Sequence, residues 1–462
     1  MNDFEIKNLT PGSEIHMVGI GGISMSAIAH MLIYLGYKVS GSDRTRTPLT
    51  DNLEKLGVKF YEGQSADNIK SPSLVCYTAA IHPDNPELVR ARELGIPTIE
   101  RAPLLGQLMT LYKYPLAVAG THGKTTTTSM LSLILLADRK DPTILVGGEL
   151  SQIGGNYRIG GRDYLVCEAC EYVESFLNFR PFLSIITNIE ADHLDYFGNL
   201  TNIITAFEKF ARLNSPNGHI IVCSDDKHTP FVVQNINTSV IKYAINDKNA
   251  HFVAENIHAN DMDGISFDAM FEGKLYVSLD LKVAGRHNVY NALGALAASY
   301  ALGISPESAK TGLEEFTGAK RRFEKVGKMN NVTIIDDYAH HPTEIAAMLN
   351  TAKEHYKGNV WCIFQPHTYS RTSALFDDFV KVLPIADKLI ITDVYSAREK
   401  YTGKIHSCDL AMAIPKAVYM NDFGAIVRYI KENAVSGDLV ITVGAGDVFK
   451  IGRALVSSEE NR

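Results

Sequence analysis

Short apolar runs alternate along the whole chain with longer stretches of helical periodicity. Runs at 15–20, 74–78, 116–119, 164–167, 183–187, 332–335, 360–364, 388–392 and 439–443 have the length of buried parallel strands. Helical patterns cover 24–35 and 125–136, and 283–302 opens on a Gly-Arg turn and continues as an alanine-rich helix. Strands and helices in alternation predict an α/β fold. The pattern groups into three units, 1–110, 111–317 and 318–462. No internal repeat or low-complexity stretch interrupts them.

Composition narrows the class. The 462 residues are 45% apolar and 21% charged, which suits several packed cores and not a disordered chain. The net charge is −7 and there is no basic stripe, so nucleic acid is not an expected partner. The six scattered cysteines suit a reducing compartment, and Cys167 and Cys170 lack the further ligands that a zinc site needs. The uncharged stretch 15–37 is long enough to cross a membrane, but Gly19, Gly21 and Gly22 break it. With no signal peptide visible, the expected location is cytoplasmic, without membrane association.

The candidate chemistry sits at the ends of the predicted strands. Gly120-Thr121-His122-Gly123-Lys124-Thr125-Thr126 joins a strand to a helix. Glycines let backbone N–H groups close on phosphate oxygens, Lys124 can reach the outer phosphates and the Thr125 hydroxyl can ligate Mg²⁺. The G-x-x-G-K-T spacing is two residues shorter than the usual phosphate loop, and a plain glycine turn before a threonine-capped helix would read similarly. Glu168 ends one strand, and Asn188, Asp192 and His193 follow another. In open parallel sheets ligands bind beyond such ends, so Glu168 and His193 are candidate metal ligands.

A second glycine turn, Gly19-Ile20-Gly21-Gly22-Ile23-Ser24, also joins a strand to a helix, and Asp43 follows at the next strand tip. Ser24 stands where a dinucleotide fingerprint has its third glycine, so the turn predicts a diphosphate or nucleotide site and not NAD in particular. Three more polar tips, 336–342, 365–371 and 444–447, lie on one side of the third predicted sheet. They predict a third binding site. Rival readings are a dehydrogenase and a phosphate-loop ATPase or kinase that makes no amide.

Taken in order, these segments resemble the Mur ligases over essentially the whole chain. The carriers are 18–26, 120–127, 187–193, the run Gly285-Arg286-His287-Asn288-Val289-Tyr290-Asn291-Ala292, then Arg321-Arg322-Phe323, 336–342 and 365–371. The resemblance implies a Rossmann-like N-terminal domain for a UDP-sugar, a central ATPase-like phosphate-loop domain, and a Rossmann-like C-terminal domain for an amino acid. It implies ATP and Mg²⁺ (or Mn²⁺) as cofactors, with UDP-N-acetylmuramate and L-alanine as substrates. A sibling activity adding another amino acid or a peptide is the alternative.

The resemblance also distributes roles. Lys124 and Thr125 would hold the γ-phosphate and the metal, with Glu168 and His193 completing the metal sites. His287, Asn288 and Asn291 would hold adenine, Arg322 the ATP phosphates and Asp337 the ribose. Gly19, Gly21, Gly22, Ile23, Ser24 and Asp43 would meet the UDP-sugar. Tyr338, His340 and Arg371 would surround the amino acid; Lys124, His193, Arg322 and His340 would be catalytic. Two positions depart from the family: Thr368 stands where an Arg is common, and Ala169-Cys170-Glu171-Tyr172 replaces a more acidic run.

Overall fold

The computed structural model describes residues 4–261, 264–397, 399–401 and 403–457. They form two compact units. One takes the chain up to Asn188, then Ile204–Phe252 and Gly294–Gly312; the other takes Ile189–Ile203, Val253–Leu293 and the chain from Leu313 onward.

In the first unit, five parallel strands run in the order Lys59–Glu62, Lys38–Asp43, Glu14–Val18, Leu74–Tyr77 and Thr98–Glu100. The chain winds outward in both directions from Glu14–Val18. That makes the carboxyl end of this strand, where the glycine turn begins, a topological switch point. A further sheet in this unit places Tyr114–Ala119 between Tyr164–Glu168 and Leu183–Ile186, all parallel. His219–Cys223 and Ser239–Ala244 continue it on one side, Thr143–Leu150 on the other. Tyr114–Ala119 is almost wholly buried, which explains why it reads as an unbroken apolar run.

In the second unit, Ile265–Phe271 and Lys274–Leu281 form an antiparallel hairpin. A six-stranded sheet has the order Glu324–Met329, Val332–Asp337, Leu439–Val443, Val360–Phe364, Lys388–Ile391 and Ala417–Tyr419. All pairs are parallel except the first. Successive residues serve opposite faces: Ile335, Cys362, Phe364 and Ile441 pack in one apolar cluster, and Ile334, Trp361, Ile363 and Val440 in another. Helix Pro342–His355 covers the first face; Phe423–Asn433 and Phe449–Ser457 cover the second.

Two expectations change. The strand expected to stop at 335 extends to Asp337, because Asp336 and Asp337 continue the pairing with Thr442 and Val443. The hairpin and the edge strands Glu324–Met329 and Ala417–Tyr419 have no counterpart in the apolar pattern. The two edge strands and Lys274–Leu281 are largely exposed or half-buried, and in the more buried Ile265–Phe271 the polar Ser266 and Asp268 interrupt the apolar positions, so none carries an unbroken apolar run.

Candidate active site

The shortened glycine loop is clasped by the neighbouring strand tip. Gly120 has φ +134°, and a Cβ there would stand 1.9 Å from the Thr187 hydroxyl, so only glycine fits. Thr187 Oγ1 donates to His122 O at 2.6 Å. Asn188 accepts from Thr121 N through its carbonyl at 3.0 Å and from His122 N through its side chain at 2.9 Å. Gly123, at φ 82°, caps helix Lys124–Ala137, whose first turn carries no acidic residue. Thr125 and Thr126 are buried in that turn. Free helix N–H groups and positive potential make this end a place for phosphate.

Lys124 closes over the loop. Its ammonium donates to Gly120 O at 2.6 Å, Thr121 O at 3.0 Å and the Glu171 carboxylate at 3.0 and 3.1 Å. Burial, the largest single influence, would lower the Lys124 pKa, but the charge and hydrogen bond of Glu171 together with the nearby Cys170 and Glu168 outweigh it, and the net shift is upward. Glu168 is the last residue of its strand, and its carboxylate accepts from Gly147 N. It therefore stands in the same unit as Thr125 and Lys124, and its charge is felt at Lys124. Carboxylate and hydroxyl oxygens are donors that suit a hard divalent cation.

The first glycine turn is held from below. Gly19 N and Ile20 N donate to Ser42 O at 2.8 and 3.0 Å, and Gly21 N to Asp43 Oδ2 at 2.8 Å. Asp43 Oδ1 accepts from Arg44 N at 2.7 Å. The carboxylate expected to meet the UDP-sugar thus also organises the turn. Helix Ile23–Tyr34 begins after Gly22 with no side-chain cap, and Ile23 and Ser24 are exposed at its start. Beneath, fully buried Glu87 accepts from Ser42 Oγ and Asn68 Nδ2, each at 2.6 Å.

In the second unit the three polar strand tips are neighbours, since Asp337 and Phe364 both pair with Val443. Asp337 accepts from Phe323 N at 2.8 Å and Ala339 N at 2.7 Å. Burial pushes its carboxyl up to about 6, against the pull of Arg322. Arg322 stands 3.5 Å from Glu344 and 5.3 Å from the Tyr338 ring centre. Glu344 also accepts from His340 N at 3.1 Å. Burial lowers His340 to about 4, which leaves a neutral imidazole at pH 7. Tyr338, His340, Arg322 and Asp337 therefore share one neighbourhood.

Arg371 joins it through Asp192. Its Nε and Nη2 donate to Asp192 Oδ1 at 3.1 and 2.9 Å, while Nη1 lies 3.0 Å from His367 Nδ1. Burial would raise the Asp192 carboxyl; His193, Arg371 and two further histidines hold it well below the usual range. His193 follows in the left-handed region, φ 52°, at the start of helix Leu194–Phe197, a strained conformation of the kind found at functional sites. Thr368, where an Arg was expected from the family, caps helix Tyr369–Ala374 by accepting from Arg371 N.

His287 lines a cleft of about 420 Å³ with Arg286, Asn350, Thr351, Lys353 and Glu354. Burial lowers His287 to about 4. Asn288 and Asn291, which the resemblance assigns to adenine, stand at the start of helix Arg286–Ala301. Both are buried, Asn288 Nδ2 donating to Ala284 O at 2.7 Å and Asn291 Nδ2 to Asn288 Oδ1 at 3.1 Å, so they brace the helix start. No role was read from the sequence for Glu171 or Asp192, though both stand in segments it marked, and Glu344 and Glu87 were not marked at all. Glu171 and Asp192 lie inside recognisable motifs, whereas Glu344 and Glu87 read as ordinary first-turn acids of helices.

A strand-loop-helix phosphate cradle in one parallel sheet, with polar strand tips in another, defines a nucleotide-using α/β enzyme. Three family descriptions match: "Mur ligase family, catalytic domain" at residues 14–113, "Mur ligase middle domain" at 118–299 and "Mur ligase, glutamate ligase domain" at 321–446. The chain belongs to the Mur ligase family. It is 50% identical to the UDP-N-acetylmuramate–L-alanine ligase of Acetivibrio thermocellus, over 100% of this chain and 99% of that one. It is 46% identical to the enzyme of the same name from Clostridium acetobutylicum, over 98% and 99%. Among solved structures, the UDP-N-acetylmuramate-alanine ligase of Thermotoga maritima superposes with a TM-score of 0.80 at 35% identity, covering 97% of this chain and 99% of that one. A murein peptide ligase from Psychrobacter arcticus gives 0.72 at 26%, covering 98% and 99%.

Proposed function

We propose that this protein is a cytoplasmic, ATP-dependent ligase that joins L-alanine to the carboxylate of UDP-N-acetylmuramate, a step of peptidoglycan precursor synthesis. The observation that carries the reading is the Lys124 loop, wedged onto Thr187 and Asn188 within a chain of full-length ligase likeness. We assign the UDP-sugar to 1–110, ATP to 111–317 and the amino acid to 318–462. The glycine turn at Gly19–Ser24 supports the first assignment, the Lys124 loop and the His287 cleft the second, and the Arg371 neighbourhood the third.

A carboxylate is a poor acyl donor until it carries a good leaving group. The sugar carboxylate attacks the γ-phosphorus of ATP, the bond to the bridging oxygen breaks, and ADP departs from an acyl phosphate. The neutral amine of L-alanine then attacks the acyl carbon; phosphate leaves as the amide forms, and the amine sheds one proton. Such phosphoryl transfer needs positioning and charge neutralisation more than covalent help. Lys124 and Arg322 serve that need. Thr125, Glu168 and His193 would hold Mg²⁺ (or Mn²⁺), which supplies charge neutralisation at the phosphates. Neutral His340 is suited to receive the amine's proton, and the Arg371 fork to orient the amino acid's carboxylate.

One assay tests the reading: purified protein with ATP, Mg²⁺, UDP-N-acetylmuramate and each amino acid in turn, followed by phosphate release. Release that requires both the UDP-sugar and L-alanine, and that vanishes in Lys124→Ala while the fold persists, supports it. Phosphate release without amino-acid dependence, or a preference for another amino acid, overturns it.

A further inference from the structure

Lys124 has no donor to spare within its loop. An ammonium has three N–H bonds. Gly120 O, Thr121 O and the Glu171 carboxylate account for all three, at 2.6, 3.0 and 3.0 Å. The pair is buried, with Lys124 17% and Glu171 3% exposed at the side chain. A buried carboxylate is costly unless a cation meets it, so Glu171 binds Lys124 without strong competition from water. A terminal phosphate that enters the loop carries the same sign as Glu171 and needs the same cation.

We infer that Glu171 is a counter-ion standing in for the terminal phosphate at Lys124, and that ATP binds by displacing it. This rests on the Lys124 loop being the nucleotide site and goes one step further, since it makes Glu171 a brake on nucleotide affinity. It also favours nucleotides with an outer phosphate, because only these offer Lys124 a replacement for the carboxylate. Glu171 would act through Lys124 and never touch the reacting atoms, which makes it a positioning residue.

The test is calorimetric titration of the full chain with a non-hydrolysable ATP analogue in Mg²⁺, for the parent, Glu171→Gln, Lys124→Ala and the double variant. Glu171→Gln keeps the size and removes the charge. It should tighten binding by roughly tenfold, the scale of one charge-assisted hydrogen bond. The double variant should bind no better than Lys124→Ala alone, including the case in which neither binds. Unchanged or weaker binding in Glu171→Gln would overturn the inference and point to a role in the bound state. Tightening that survives in the Lys124→Ala background would overturn it too, as a general charge effect. A parent chain that does not bind the analogue would instead remove the nucleotide reading itself.

Discussion

The guanidinium of Arg371 grips Asp192 through two nitrogens, at 3.1 and 2.9 Å, with both side chains only about a tenth exposed. Removing one member of such a pair strands the other charge, at a cost of about 3–5 kcal/mol. Arg371→Ala should therefore lower the unfolding free energy by about that much, and Asp192→Asn by less, because the amide oxygen can still accept. Arg371→Lys keeps the charge but loses the fork, so it should raise the KM for L-alanine more than it lowers stability. Urea unfolding and steady-state kinetics check both. An Arg371→Lys variant with normal KM would separate Arg371 from the amino-acid site.

Gly120 makes a second test, because two independent constraints meet there. Its φ of +134° is one an L side chain rarely adopts, and the added Cβ would overlap Thr187 Oγ1 at 1.9 Å. Backbone strain of this kind costs about 1–3 kcal/mol before the overlap is counted. Gly120→Ala should open the loop, lower the melting temperature and abolish ADP formation. Combining it with Thr187→Ala removes the worst overlap but leaves the strained φ and Thr187 N at 3.0 Å, so stability should return only in part. Full rescue would show that the strain is unimportant.

The elements legible in the sequence are those buried on both faces. Leu439–Val443 and Val360–Phe364 read as apolar runs because each lies between neighbouring strands and beneath helices on either side. Glycine turns were legible because few other residues satisfy their dihedrals. The edges were not, since a strand such as Glu324–Met329 needs only its pairing partner and not an apolar face. Site residues split the same way. Lys124 announces itself by its loop, but Glu171 matters because folding carries it 47 residues back to Lys124, and Asp192 because it meets Arg371 179 residues on. Asn288 and Asn291 were legible only as members of a motif, and the contacts that hold their amides at the helix start were not.

Glu168 carries the metal prediction. It ends a strand in the same unit as the Lys124 loop, with its carboxylate on Gly147 N. Glutamine preserves that acceptor and removes the charge that a hard cation requires. Glu168→Gln should raise the Mg²⁺ concentration needed for half-maximal activity by at least about tenfold, with saturating Mg²⁺ restoring part of the rate. Metal chelation should stop the parent enzyme altogether. An unchanged Mg²⁺ requirement in the variant would remove Glu168 from the metal site.

Asp337 gives the pH dependence a sign. Burial, opposed by Arg322, raises its carboxyl from 3.8 to about 6, so the folded chain holds this proton more tightly than the unfolded chain. Its contribution is full below about pH 4 and is lost as the pH rises through 6, an effect of about 3 kcal/mol. Burial drives His287, His340 and His367 the other way, down to about 4. Their contribution is full above the ordinary 6.5 and is lost as the pH falls through 4. In the parent chain the two trends oppose each other between pH 4 and 6.5. Asp337→Asn removes only the first, so the variant should gain stability more steeply over that range, whatever uniform offset the lost hydrogen bond adds. Urea unfolding at half-unit pH steps measures the slope directly, and parallel curves for parent and variant would show that Asp337 titrates alike in the folded and unfolded chain.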